Sequence, residues 1–319
     1  MAANLKKVKA SMMNAIHDLP LLVARDEGFF RDQGLDVEIV RTPGSGQSDS
    51  DHQALRSNIF ERTMEALYDQ GACDQFRMCE WGVMKRAVES QGQAGHRPAK
   101  IVALGSAMSS FALVADPKSG IFEPEQLKGK PIGVSPFNGS HFTTLKLLEG
   151  FLKREQIKTT FAGTMRERID ALRRGEVAAV SLMEPWISYA EKLGLRVIME
   201  SHSTRSEAAG EELDGATLRK MFDAEAEAAK AIEKDPSKHA RYLVEEAGGM
   251  IELKELKLAR ILNAAPEPYT RERFQHTYEW TRDWGLVPPG ATYENTVDNR
   301  AWQQGRSRCP SPSAQTDRA

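Results

Sequence analysis

The spacing of apolar positions switches along this chain between a period near two and a period near four. Lys7 to Met12 has the character of a strand, and Leu19, Leu22, Val23 and Phe30 then recur at helical spacing. After Gly34 the stretch DVEIVRT alternates again. Strand, helix and strand within about 35 residues make a βαβ unit, so a parallel sheet is expected from the first residues onward.

A polar stretch rich in Gly and Ser, Thr42 to Ser50, predicts a loop, and Ile59 to Tyr68 resumes a helical pattern. Phe76 to Cys79 reads as a short inner strand broken by Arg77. Three further strands follow, separated by Gly, Ser and Pro: IVALGS from Ile101, FALVAD from Phe111 and PIGVSP from Pro131. The alternation continues through His141–Phe151, Thr159–Ala162, Met165–Arg174, Val177–Met183 and Pro185–Leu193, which argues for an α/β fold. Beyond Met199 the pattern becomes polar and then almost wholly helical. Asp223–Ile232 is rich in Ala and Glu, Pro236 suits a first helical turn, and Thr270 is placed to cap a helix running to Trp284. Gln303 to Ala319 has no apolar periodicity and is expected to be a disordered tail.

Composition narrows the function. The 319 residues are 40% hydrophobic, and 43 Lys plus Arg stand against 45 Asp plus Glu, a balance that offers neither nucleic acid nor an anionic membrane an attractive surface. No apolar run approaches the length of a spanning helix. The lysines near the N-terminus are followed by no apolar stretch of signal-peptide length, so the expectation is a cytoplasmic protein as written, periplasmic if the N-terminus is incomplete. Cys73, Cys79 and Cys309 fit neither a disulfide framework nor zinc spacing and are expected to be free thiols. No Gly-Lys-Ser/Thr phosphate loop, Gly-x-Gly-x-x-Gly turn or Gly-x-Ser-x-Gly elbow occurs. A small molecule is the expected partner, with no cofactor and no metal.

The turn Ser135 to His141 joins a strand end to a helix start, where unpaired backbone N–H groups and the positive end of the helix dipole converge. Such a turn suits an anion, although Asn138 or Ser140 would serve equally as an ordinary helix cap.

The segment LPLLVARDEGFFRDQGLDVEIV resembles the opening of the solute-binding superfamily for sulfonates, nitrate and the thiamine pyrimidine. The EWG turn at Glu80–Gly82, the LKGKPIGVSPFNGSHFTTLKLLEGFL stretch and ALRRGEVAAVSLMEPWISYAEKLG follow in that superfamily's order, covering roughly Val8 to Met199. The resemblance implies a two-lobed, type 2 periplasmic-binding-protein-like α/β fold with a helical C-terminal segment. The first lobe would begin with residues 1–106, the second would hold 107–200, and 201–302 would return to the first lobe and supply the C-terminal helices. By the same matching, a ligand in the interlobe cleft would meet His17, Glu80 and Trp81, then Ser109, Ser110 and Phe111 near the hinge. From the second lobe it would meet Phe137, Asn138, Gly139, Ser140, His141, Glu184 and Trp186. His17 and His141 would face one another across the cleft with Glu80 and Glu184, a cluster able to orient a ligand or exchange a proton.

The resemblance also has gaps. The apolar strand that normally returns to the first lobe is replaced by the hydrophilic run Ser201 to Gly215, which predicts a short or missing return strand. Thiamine-pyrimidine synthases of this fold carry a Lys and a His near the first helix and a cysteine-rich iron-binding cluster. Here Asp18 stands beside Leu19 and no such cluster follows. Aromatic sulfinate desulfinases resemble the chain loosely at Tyr68–Gln70, but their nucleophilic cysteine would fall in the loop Asn14–His17, which has none. Two functions are therefore expected, in this order: a binding protein for a small polar organic ligand, partnered with an ABC permease or acting as a cytoplasmic relative, and a decarboxylase- or desulfinase-like enzyme.

Overall fold

The computed structural model describes residues 4–41, 64–90 and 94–303. The predicted loop at Thr42–Ser50, the start of the predicted helix at Ile59, Cys309 and all of the predicted tail but Gln303 lie outside them.

The opening βαβ unit forms as its spacing predicts. β1 (Lys6–Met12) pairs in parallel with β2 (Leu35–Arg41), from Lys6 opposite Leu35 to Met12 opposite Arg41. Between them α1 (Ala15–Asp26) starts four residues earlier than the apolar spacing suggests, because the Asn14 side chain accepts the His17 N–H and caps it. Pro20 lies inside α1 and Asp18 departs from helical geometry, which tilts the first turn away from the rest. Gly28, at φ 86°, separates α1 from the short α2 (Phe29–Asp32). Next come α3 (Met64–Asp69), β3 (Gln75–Cys79) and α4 (Glu80–Glu89).

The two strands expected at Ile101 and Phe111 are one, β4 (Lys100–Ala115). Gly105 does not end the strand. A Cβ there would lie 2.5 Å from Glu207 Oε1 and 3.1 Å from the Arg205 carbonyl, so the glycine permits close approach of the neighbouring strand. The second half continues through β5 (Pro131–Val134), α5 (Gly139–Leu148), β6 (Lys158–Phe161), α6 (Met165–Arg173), β7 (Ala179–Met183) and α7 (Trp186–Lys192).

The missing return strand is present, and the expectation from the hydrophilic run is corrected: β8 spans Arg196–Ala209. It pairs antiparallel with β4 along nearly its full length, and its last five residues also pair with β3, Cys79 opposite Arg205 and Gln75 opposite Ala209. Polarity misled because Arg205, Ser206 and Glu207 are buried with polar partners in place of apolar ones. The C-terminal part is α8 (Gly215–Lys234), α9 (Pro236–His239), α10 (Arg241–Glu246), β9 (Ile261–Asn263), α11 (Arg271–Asp283) and α12 (Tyr293–Thr296). Pro236 opens α9, and Thr270 accepts the Arg273 N–H at the start of α11.

These strands form one sheet in the order β2-β1-β3-β8-β4-β7-β5-β6, with β9 on β4. Two parallel groups, β2-β1-β3 and β7-β5-β6, are thus joined by the long antiparallel pair β4–β8. Its register shifts between Leu104 and Met108. One apolar cluster packs α1 and α8 on β1 and reaches Phe111 and Met183, a second surrounds β3 and α4, and two others lie on opposite sides of the β7-β5 region. Strand C-terminal ends of both halves therefore point at the middle of the molecule, the position at which α/β sheets hold ligands.

Candidate functional site

At the end of β1, His17 enters α1 wholly buried. Burial and the neighbouring Arg205 guanidinium hold its pKa well below the ordinary value, so the ring is neutral at pH 7. Its Nδ1 has no hydrogen-bond partner among the described residues, and its ring centroid lies 6.1 Å from that of Phe111 on β4. Phe111 in turn meets the start of α5, since a Cβ on Gly139 would come 3.1 Å from its ring. His17, Phe111 and Gly139 thus form a line across the junction of the halves.

A second line lies beside it. Trp81, in the first turn of α4, stacks on Phe142 of α5 with centroids 5.2 Å apart and 27° between planes. Its indole Nε1 is buried without a partner among the described residues, as are Ser109 Oγ on β4 and Thr143 Oγ1 on α5. At the rim, Phe137 is half exposed with φ 55°, and the Lys85 ammonium of α4 stands 5.5 Å from its centroid.

The turn before α5 closes on itself. Ser140 Oγ accepts the Ser135 N–H at 3.0 Å, His141 Nδ1 accepts the Phe137 N–H at 3.2 Å, and the Asn138 carbonyl accepts from His141 and Phe142. Burial lowers the His141 pKa, which leaves a neutral ring with its proton on Nε2. The Asn138 side chain makes no cap. Ser140 retains its own hydroxyl proton for donation.

The four-residue cluster expected of His17, His141, Glu80 and Glu184 is not joined by hydrogen bonds, because both carboxylates are engaged elsewhere. Glu80 accepts from Tyr269 Oη at 2.5 Å and from Arg273 Nε at 2.8 Å and Nη2 at 3.2 Å, fastening α4 to α11. Glu184 accepts from the Ser188 hydroxyl at 2.9 Å and Arg260 Nη1 at 3.1 Å, and burial raises its pKa. Ser110 Oγ donates to the Arg260 carbonyl at 3.1 Å. Trp186 packs with Tyr189, centroids 6.1 Å apart, against the core of the second half. Cys79 occupies the N-cap position of α4 with its sulfur against the Gly82 N–H and stays a thiol, its pKa pushed up to about 12 by burial.

Sequence reasoning missed the charges beneath this junction. Arg77, taken as an interruption of β3, is bound by Glu207 at 2.7 Å and by Glu225. Asp18 accepts from the Met13 and Asn14 N–H groups at 2.8 and 3.3 Å and lies 3.8 Å from Arg77 and 4.0 Å from Arg205. The available signal was charge within a strand-length segment: Arg205 and Glu207 are two apart, so they share one face of β8.

The sheet order, the long paired crossover strands and the strand ends that meet between two halves are those of the periplasmic-binding-protein fold, as the resemblance implies. A family model described as NMT1/THI5 like matches residues 16–55. No curated protein matches the chain. Among solved structures, the chain is similar to the periplasmic nitrate-binding protein NrtA of Synechocystis PCC 6803, with a TM-score of 0.71, 12% identity and 95% of this chain covering 89% of that one. It is also similar to the periplasmic aliphatic sulphonate binding protein SsuA of Escherichia coli, with a TM-score of 0.67, 18% identity and coverages of 94% and 98%. A desulfurization enzyme, DSZB, shares the fold at a TM-score of 0.58, 14% identity and coverages of 93% and 97%. Likeness at these identities establishes the fold. No helix among the described residues is long and apolar enough to cross a membrane.

Proposed function

We propose that this protein binds one small polar organic molecule between its two halves, in the manner of the solute-binding proteins that share its fold. The observation that carries this reading is the set of buried, unpartnered polar atoms at the junction: His17 Nδ1 and Trp81 Nε1 from one half, Ser109 Oγ and Thr143 Oγ1 from the other. A buried polar atom without a partner costs about 1 to 3 kcal/mol, so several in one place favour a ligand that supplies the missing hydrogen bonds. Lobes of residues 1–106 with 201–302, and of 107–200, would hinge at the β4 register shift, because a ligand touching both binds the closed form more tightly. Its chemistry would be sulfonate-, nitrate- or pyrimidine-like, and delivery to an ABC permease is the role the fold relatives suggest. The enzyme reading has less support, since Cys79 is held as a thiol.

Native mass spectrometry of the purified protein should reveal a co-purified small molecule, and adding that molecule should contract the particle in small-angle scattering. Trp81→Phe should weaken binding about tenfold by removing one donor. A ligand bound equally well by Trp81→Phe, with no contraction, would remove the cleft reading.

A further inference from the structure

The two arginines beneath the junction are treated very differently by their surroundings. Arg77 is bound by Glu207 and Glu225 and approached by Asp18. Arg205, equally buried, gives Nη2 to the Arg77 carbonyl and to the Met64 sulfur at 3.6 Å, while its Nε and Nη1 have no hydrogen-bond partner among the described residues. Its closest carboxylate, Asp18, is 4.0 Å away and already accepts from two backbone N–H groups.

The place where Arg205 stands has a second feature. Arg205 is directly opposite Cys79 in the β3–β8 register, so the two side chains share a face of the sheet. Cys79 is the N-cap of the ten-residue α4, where its sulfur meets the Gly82 N–H alone, and the Glu80 carboxylate is turned to Tyr269 and Arg273. A helix start keeps further orphan N–H groups and partial positive charge. The nearby His17 ring is neutral and adds no second positive charge beside Arg205.

We propose that Arg205 and the start of α4 form an anion subsite in the first half of the molecule, which takes a carboxylate or sulfonate group of the organic ligand. This deepens the cleft reading and rests on it. The open Nε–H and Nη1–H lie on different edges of the guanidinium, so one of them would meet one oxygen of the anion while N–H groups at the start of α4 meet another, and such a ligand would give a buried, underpaired cation a partner. It also makes Arg205 a specificity-determining residue, because a neutral ligand of the same shape would leave that cation unpaired.

The test uses methanesulfonate and acetate as probes, with dimethyl sulfone and acetamide as their neutral counterparts, at constant ionic strength and with thermal unfolding as readout. The anions should raise the melting temperature saturably and the neutral molecules should not, and the tighter of the two anions identifies the group. Arg205→Met should abolish the response, and Arg205→Lys should keep it with about ten- to a hundred-fold weaker binding, since a compact ammonium does not occupy the place of the rigid guanidinium. If Arg205→Met fails to fold, the lysine variant carries the test: binding as tight as the parent's would overturn the proposal. So would an anion response that survives in Arg205→Met, or neutral probes that stabilise as well as anions. A co-purified ligand seen by native mass spectrometry, with no anion response in the parent protein, would sink the subsite and leave the cleft reading standing; loss of both would sink both.

Discussion

The turn before α5 and the floor of the first half handle their polar atoms in opposite ways. The turn from Ser135 to His141 spends its side chains on its own backbone, through Ser140 on Ser135 and His141 on Phe137. In the floor, His17, Trp81 and Arg205 are buried with ring or guanidinium nitrogens left open, above a network in which Arg77, Glu207 and Glu225 satisfy one another. A turn that satisfies itself keeps its shape whether or not a ligand is present. A floor with open donors is completed by one, so discrimination among ligands is expected to reside in the first half.

The largest effect should come from breaking the network that supports that floor. Arg77→Met would leave Glu207 and Glu225 buried without their cation and should cost about 3 to 5 kcal/mol in denaturant unfolding. A loss under about 1 kcal/mol would mean that the floor does not depend on Arg77.

Next in size is a pH effect at the same end of the molecule. Glu246 accepts the Ala15 N–H at 2.5 Å at the start of α1, and burial, reinforced by Asp18, pushes its pKa up to about 8 from 4.5. The folded protein therefore holds this proton where the unfolded chain has lost it, so stability should fall as pH rises from about 4.5 to about 8. Glu207, raised to about 7, adds a fall of the same sign. Glu246→Gln should flatten the upper part of this decline in melting temperature against pH. An unchanged slope would show that Glu246 ionises freely in the fold.

On the self-satisfied side, smaller effects are expected. Ser140→Ala removes the acceptor for the Ser135 N–H and should lower stability by about 1 kcal/mol. An accompanying large loss of ligand affinity would show that the hydroxyl proton of Ser140 also reaches the ligand, and the contrast between the two sides would narrow.

The smallest effect concerns what holds the halves together outside the cleft. Glu149, just beyond α5 and exposed, accepts from the indoles of Trp280 at 2.8 Å and Trp284 at 3.0 Å, both half-buried. Glu149→Ala should cost at most about 1 kcal/mol, seen as a slightly larger mean radius in scattering without ligand. No change in radius would assign closure to Trp81 on Phe142 alone.

The alternation of periods by itself determined the α/β architecture, the opening βαβ unit and most elements of the second half, because apolar residues at those positions can be buried in one way only. Thr270 and Pro236 were legible for a related reason: a helix start needs a side-chain acceptor or tolerates a missing N–H irrespective of its surroundings. Tertiary structure alone decided where the polar residues went. Gly105 looked like the end of a strand until the approach of β8 showed what it makes room for. Glu80 and Glu184 looked like cleft groups until Tyr269, Arg273, Ser188 and Arg260 arrived from distant segments to bind them. Arg205 looked like part of a solvated run, and its burial opposite Cys79 depends on pairings 126 positions apart in the sequence. Hydrophobic burial leaves a periodic trace in the local sequence, whereas a buried charge is tolerated only through partners that folding brings from elsewhere, and no local pattern records them.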